Sequence, residues 1–393
     1  MERIRFANQL RGLAALAVVC SHLLGVFWAM PDVVANTTFS PPLAGPVPGA
    51  FALVSQPWLN FGPLGVALFF LISGLVIPIS LDKHSRTSFV LARLLRVYPT
   101  YVAALLLEVV VLLVAAHAWG RPFGYSAAAI VSNALLIYDL IGRPSIDLVN
   151  WTLSVELKFY LLVVLLAPFI RRGNAMALFA AAAAIFGANA LIAAGVVGHI
   201  DAPPSSPSYT FSSHSLCLIY MLIGTLFNFH LRGRIGTPAL LASIAVLSGL
   251  FAATWQVSVW RDQYPFVTVN YAYAVVVFGA LYAGRRWVPR NRVLDALAAI
   301  SFPLYLIHSL LGYSMLKALM IGVGLGYYPA LLLTLLVVLG TATAIHYVVE
   351  RPTIRAGRRL APSAGRASPA PDAAGPLVIS APGSIARRGS NMG

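Results

Sequence analysis

Apolar residues in this chain do not alternate with polar ones; they come in blocks. Runs of predominantly apolar positions recur near 7–28, 61–81, 99–118, 151–170, 174–196, 213–231, 237–256, 265–284, 296–319 and 328–349. About twenty residues at about 1.5 Å each cross a hydrocarbon layer roughly 30 Å thick. No water reaches the backbone there, so every N–H and C=O must be satisfied within the segment, which a helix does. The pattern predicts an all-α, polytopic transmembrane helix bundle of about ten spans. A shorter and more polar run at 125–141 is expected to be a re-entrant or surface helix. The stretch 356–393 is rich in Ala, Pro, Ser and Gly and reads as a disordered, basic cytoplasmic tail, leaving 1–355 as the transmembrane domain.

Composition agrees with the pattern. Hydrophobic residues make up 59% of the 393 and charged residues 10%, against about 25% charged in a soluble domain. A net charge of +15 in a soluble protein would raise the question of nucleic acid. Here the cations flank apolar runs, so no nucleic-acid partner is expected and the charge is a topology signal. Arg3 and Arg5, then Lys83, Arg86, Arg93 and Arg96, Arg171 and Arg172, Arg232 and Arg234, and Arg285 to Arg292 fall at alternate ends of successive runs. Loops 31–60 and 197–212 contain neither Lys nor Arg. Ten spans with both termini in the cytoplasm put nearly all these cations inside, as expected of a multi-pass protein of a cell inner (plasma) membrane; eleven would export Arg171 and Arg172. The first run is not expected to be a cleaved signal peptide, because Arg11 and His22 interrupt it. Cys20 and Cys217 show neither a disulfide framework nor metal-ligand spacing, and no metal is expected.

Ionisable groups inside apolar runs are expensive and tend to face a bundle interior or a wet cavity. Arg11 and His22 lie eleven residues apart, which returns a helix to within about 20° of its starting direction and separates the two by about 16 Å along the axis. One face therefore carries a cation near the inner end and a titratable nitrogen further up. The alternative is an arginine snorkelling to headgroups and an unrelated core histidine. Glu156, in WTLSVELKFY behind Trp151, falls within a turn of the depth of His22 and could orient its imidazole. Pairing with Lys158 is the alternative, weakened because residues two apart point to different helix faces. Arg93 and Arg96 share a face at the inner mouth, ahead of Pro99, which is expected to start the next span; they suit a phosphate ligand or serve only as positive-inside anchors. His308, following a kink expected at Pro303 in SFPLYLIHS, either lines a cavity with Tyr305 and Trp151 or is a satisfied core histidine. Gly62, Gly65 and Gly74 read as close helix packing, His346, Tyr347, Glu350 and Arg351 at the end of the last run as the place of a structural ion pair, and His214 and Glu108 as structural.

Six blocks, in order, resemble the acyltransferase family 3 integral membrane proteins. They are LRGLAALAVVCSH with Arg11 and His22, GVALFFLISGLVI, RLLRVYPTY, WTLSVELKFYLL, FPLYLIH and YVVERP, together covering roughly residues 5 to 355. The family's acidic residue ahead of the first motif is replaced by Asn8-Gln9. Ala92 stands where a second arginine is usual, and Leu157-Lys158 where Glu-Gln is common. Many relatives carry a fused extracytoplasmic esterase-like domain; the tail here is too short and polar for one, so a stand-alone transferase is expected.

The resemblance implies an O-acyltransferase that moves an acyl group, acetyl foremost, from cytoplasmic acyl-CoA to a hydroxyl of a carbohydrate or lipid-linked glycan. Its partners would be membrane lipid, acyl-CoA (acetyl-CoA) as co-substrate, and the glycan or glycolipid acceptor. Arg11, Arg93 and Arg96 would hold the phosphates. His22 would act as general base oriented by Glu156, or carry the acyl group transiently. A secondary transporter or flippase for a lipid-linked sugar also needs intramembrane charges and is the competing reading; it would favour inverted repeats, and none stands out.

Overall fold

The computed structural model describes residues 4–43, 45–56, 58–198, 206–263 and 267–360. Its long helices are α1 (Arg5–Ala29), α2 (Phe61–Leu81), α3 (Arg86–Ala118), α4 (Asn150–Leu165), α5 (Ala175–Ala193), α6 (Pro207–Leu231), α7 (Thr237–Gln256), α8 (Val267–Ala283), α9 (Arg292–Ile307), α10 (Leu310–Gly322) and α11 (Tyr327–Gly357). Among the described residues, seven of these are long and apolar enough to cross a membrane, or eight if the bent pair α9–α10 forms one span. The protein is thus an all-α, multi-pass membrane bundle. The count differs from ten because α4 has 16 residues and α8 has 17, about 24 to 26 Å each and so just short of a full hydrocarbon layer.

Three further boundaries differ from expectation. Pro99 does not start a helix; it lies inside the 33-residue α3, which carries Arg93 and Arg96 on the same continuous rod as the apolar run. The ninth run bends not at Pro303 but five residues later, by 69°, at His308 and Ser309. At that break the Ser309 hydroxyl donates to Asp147 Oδ1 at 2.6 Å. The stretch 125–141 forms only an eight-residue helix, Ala127–Ala134, about 12 Å long and unable to cross a bilayer. It is tied to α3 by the Tyr98 hydroxyl donating to Leu135 O and the Tyr101 hydroxyl donating to Asn133 O. The expected tail is helical up to Leu360 (Arg351–Leu360), and 361–393 lie outside the described residues.

Helix α6 is the most deeply buried, packed against α2, α5 and α7, while α1 lies between α2 and α9. Glycine sets both crossings. A methyl group on Gly74 would overlap the Met221 carbonyl oxygen and stand 2.9 Å from Gly224 Cα; on Gly12 it would stand 2.8 Å from Leu294 O. Backbones in contact bring side-chain donors within reach of carbonyls on the neighbouring helix, and Asn228 Nδ2 donates to Leu75 O at 2.8 Å.

At one end of the bundle, arginines bond to neighbouring segments. Arg232 and Arg234 pair with Asp82, Arg171 donates to Leu81 O and His84 O, Arg5 donates to Val288 O, and Gln9 donates to Pro289 O. At the other end, the chain between α1 and α2 forms helices Pro31–Thr37 and Phe51–Val54 and a two-residue ladder, Ser55–Gln56 with Leu59–Asn60. Lys317, buried in α10, pins this segment by donating to Pro41 O at 2.8 Å.

Candidate active site

Two cavities run one above the other through the bundle. The smaller, about 90 Å³, is lined by Arg11, Arg96, Glu156, Tyr160 and Ser73, with Phe69, Phe70 and Phe302 among its apolar walls. The larger, about 890 Å³, is lined by His22, Ser21, Asn60, Trp151, Asp139, His214 and Trp260, among others. Val66 and Tyr305 belong to both linings. Tyr305 Oη is 2.8 Å from Thr152 Oγ1, so a hydrogen-bonded pair stands where the two spaces meet.

The eleven-residue spacing on α1 works as helix geometry requires: Arg11 faces the small cavity, and Val18 and His22 the large one. His22 itself sits in a π-helical turn, Ser21–Val26, and such single turns commonly mark functional positions in helices. Its Nδ1 is 2.8 Å from the Tyr313 hydroxyl, and the two rings stack at 6.0 Å between centroids, 18° from parallel. The His308 ring abuts His22 edge-on at 4.8 Å.

His308 is fully buried behind His22, outside the lining of both cavities. Its Nδ1–H donates to Tyr305 O at 2.8 Å, and its Nε2 is buried without a partner. Because a carbonyl only accepts, this contact puts the neutral proton on Nδ1. Of the three residues expected as cavity walls, Tyr305 and Trp151 are walls and His308 is a second layer, because the helix break turns its ring inward.

Glu156 is not paired with His22. It lines the small cavity beside Arg11 and Arg96, and its Oε1 accepts from the Tyr160 hydroxyl at 2.7 Å. The depth counted from the sequence was a poor guide: along α4, Val149 and Trp151 border the large cavity with His22, whereas Glu156, further along the helix, borders the small one with Arg11. Lys158 does not claim Glu156 either; its Nζ lies 2.5 Å from Asp139 Oδ2 on another face of α4. Arg96 reaches the small cavity, whereas Arg93 packs its guanidinium over Phe89 and Tyr160 at 5.6 and 5.8 Å. The pair His346 and Glu350 bonds at 2.7 Å, one turn apart on α11.

A basic pocket opening towards an imidazole-bearing cavity is an arrangement that acyl transfer from an anionic carrier would use. The family model described as an acyltransferase domain matches residues 4–348. The chain belongs to acyltransferase family 3. It is 27% identical over 350 residues to "Acyltransferase MdmB" of Streptomyces mycarofaciens, covering 81% of this chain and 88% of that one. No solved structure matches it. Membership makes the protein a membrane acyltransferase.

Several groups around these cavities escaped the sequence reading. Tyr313 was one apolar-run tyrosine among many and carried no local signal. Asp139 did carry one: it is a lone carboxylate in LLIYDLIG, and an unpaired acid in apolar sequence calls for a partner. Asp147, in the loop ahead of α4, is buried with Oδ2 unpartnered. Burial pushes its carboxyl up to about 7, while the Ser309 bond and the N–H groups of Leu148 and Val149 pull the other way.

Proposed function

We propose that this acyltransferase takes its acyl group, acetyl foremost, from acyl-CoA and delivers it to a hydroxyl of a carbohydrate or lipid-linked glycan. Arg96 and Arg11 hold CoA phosphates at the basic end, with Arg93 behind them. The thin pantetheine arm passes Val66 and Tyr305, and the thioester reaches His22. The basic end is the cytoplasmic face of a cell inner membrane, with both termini on that side.

In the transfer, His22 takes the proton as the acceptor oxygen attacks the thioester carbonyl carbon. The C–S bond then breaks, and the CoA thiolate recovers the proton from the imidazolium. In the second form of this mechanism, His22 carries the acyl group between donor and acceptor. Glu156 acts on the arginines rather than on His22. The single observation that supports this reading is the shared lining: one pocket with two guanidinium groups and one bordered by the His22 imidazole meet at Val66 and Tyr305. A flippase or transporter for a lipid-linked sugar is the competing reading.

Purified protein incubated with radiolabelled acetyl-CoA and candidate glycans tests the proposal. Label should move to the glycan, and His22→Ala should lower transfer by about 10² to 10⁴ while CoA binding stays within a few-fold. Label held on wild-type protein after rapid quenching identifies the carrier form. Near-normal transfer by correctly inserted His22→Ala refutes the assignment of the base.

A further inference from the structure

The large cavity holds a second imidazole that the transfer mechanism does not use. His214, on α6, is buried and lines the same space as His22, but on a wall formed with α4 rather than with α1. A polar network stands behind it, buried at Asp139 and Ser154 and partly exposed at Lys158. Lys158 Nζ lies 2.5 Å from Asp139 Oδ2, 2.7 Å from Ser154 Oγ and 3.0 Å from His214 Nδ1. The Ser154 hydroxyl donates to the same Asp139 oxygen at 2.5 Å.

An ammonium has three N–H donors and no lone pair. These three contacts use all of them, so His214 Nδ1 must be the acceptor of the third. An Nδ1–H would point at a group that offers only N–H in return. Asp139 Oδ2 is more distant from that nitrogen, at 3.4 Å, and already takes two shorter bonds. Neutral imidazole with Nδ1 accepting carries its proton on Nε2. Asp139 and Lys158 cancel each other's charge, so the ring has no need to protonate. The network therefore fixes a histidine tautomer at the edge of a cavity, where apolar side chains would have joined α4 to α6 at lower cost.

The surroundings define the ligand. The Trp151 ring lies 6.2 Å from the His214 ring at 31°, and the Trp260 ring meets Trp151 edge-on at 5.3 Å. Both tryptophans line the cavity. An aromatic corner, with Trp151 and Trp260 at 79° to each other, beside one fixed N–H donor fits a ligand with an apolar face and an oxygen-bearing rim. We propose that His214 is the acceptor-binding residue of the cavity: its Nε2–H donates to a ring-borne oxygen of a saturated, polyhydroxylated acceptor lying against Trp151 and Trp260, while His22 serves the oxygen that is acylated. This rests on the acyl-transfer reading above.

The two amides separate the imidazole nitrogens. Glutamine places an N–H near where Nε2–H stands, and asparagine places one near Nδ1. Radiolabelled acetyl-CoA is followed with and without methyl glucoside as probe acceptor, so that hydrolysis reports the donor side and transfer the acceptor side. His214→Gln should keep the KM for methyl glucoside within about threefold of wild type. His214→Asn should raise it at least tenfold, with the hydrolysis rate and the KM for acetyl-CoA within about threefold in both.

The proposal is overturned if the two variants lose acceptor affinity equally, if hydrolysis falls together with transfer, or if neither variant changes. Wild-type protein that hydrolyses acetyl-CoA without acylating methyl glucoside overturns the acceptor class. Wild-type protein that turns over no acyl-CoA at all defeats the underlying reading instead.

Discussion

Replacing Tyr313 with phenylalanine removes one oxygen and nothing else. The ring is fully buried and packs against His22 and Phe27, and phenylalanine retains those contacts, so no cavity opens. What is lost is the 2.8 Å bond at His22 Nδ1. Leaving a polar group in a buried site without its partner costs about 1–3 kcal/mol. The same bond holds the ring's direction and selects which nitrogen faces the cavity. If that cost falls on the transition state, kcat drops by about tenfold to a hundredfold, less than the loss on removing the imidazole altogether.

The KM for acetyl-CoA should stay within twofold, because the arginines proposed to hold the carrier line the other cavity. The assay is steady-state transfer from acetyl-CoA by detergent-purified protein, with monodispersity and melting temperature as controls for folding. A variant that is monodisperse, melts within a few degrees of wild type and turns over within twofold would refute the argument that this bond prepares the base. A raised KM with unchanged kcat would refute the separation of the two cavities.

Arg96→Ala should weaken acetyl-CoA binding by roughly tenfold to a hundredfold, the worth of a charge-assisted contact of about 1.5–3 kcal/mol. Arg93→Ala should do less, since that side chain spends its charge on aromatic faces; equilibrium binding to solubilised protein compares them, and equal losses would contradict the placement. Gly74→Val should abolish a monodisperse peak in size-exclusion chromatography, because the new methyl groups would overlap the Met221 carbonyl, whereas a valine at the open Gly340 should be tolerated. Asp147 has a native carboxyl raised to about 7, above the ordinary value of about 3.9. The native state therefore binds more protons between about pH 4 and 7, and stability falls as pH rises through that window. Asp147→Asn should flatten the melting temperature measured from pH 5 to 8, and an unchanged slope would remove Asp147 as its source.

The apolar blocks alone determined that this chain is a helical membrane bundle, because a backbone in hydrocarbon has no other way to satisfy its polar groups. The shared face of Arg11 and His22 was equally legible, since helical phase is a local property and eleven residues span three turns. The ordered motifs pointed to the family before any contact was known. Partnership was not legible. Glu156 and His22 fall at similar depth by count from the sequence, yet they line different cavities, because where α4 sits against α1 is set by packing, including close crossings such as that of Gly74 on Gly224. Tyr313 reaches His22 only because the chain breaks by 69° at His308 and Ser309, and that break involves Asp147, more than 160 residues upstream. Helical phase argued against pairing Lys158 with Glu156 but named no other partner; Lys158 belongs to Asp139 and His214, from two other segments. Local sequence specifies periodicity and burial, but the choice among partners for a buried charge is made by helices whose mutual rotation only their packing decides.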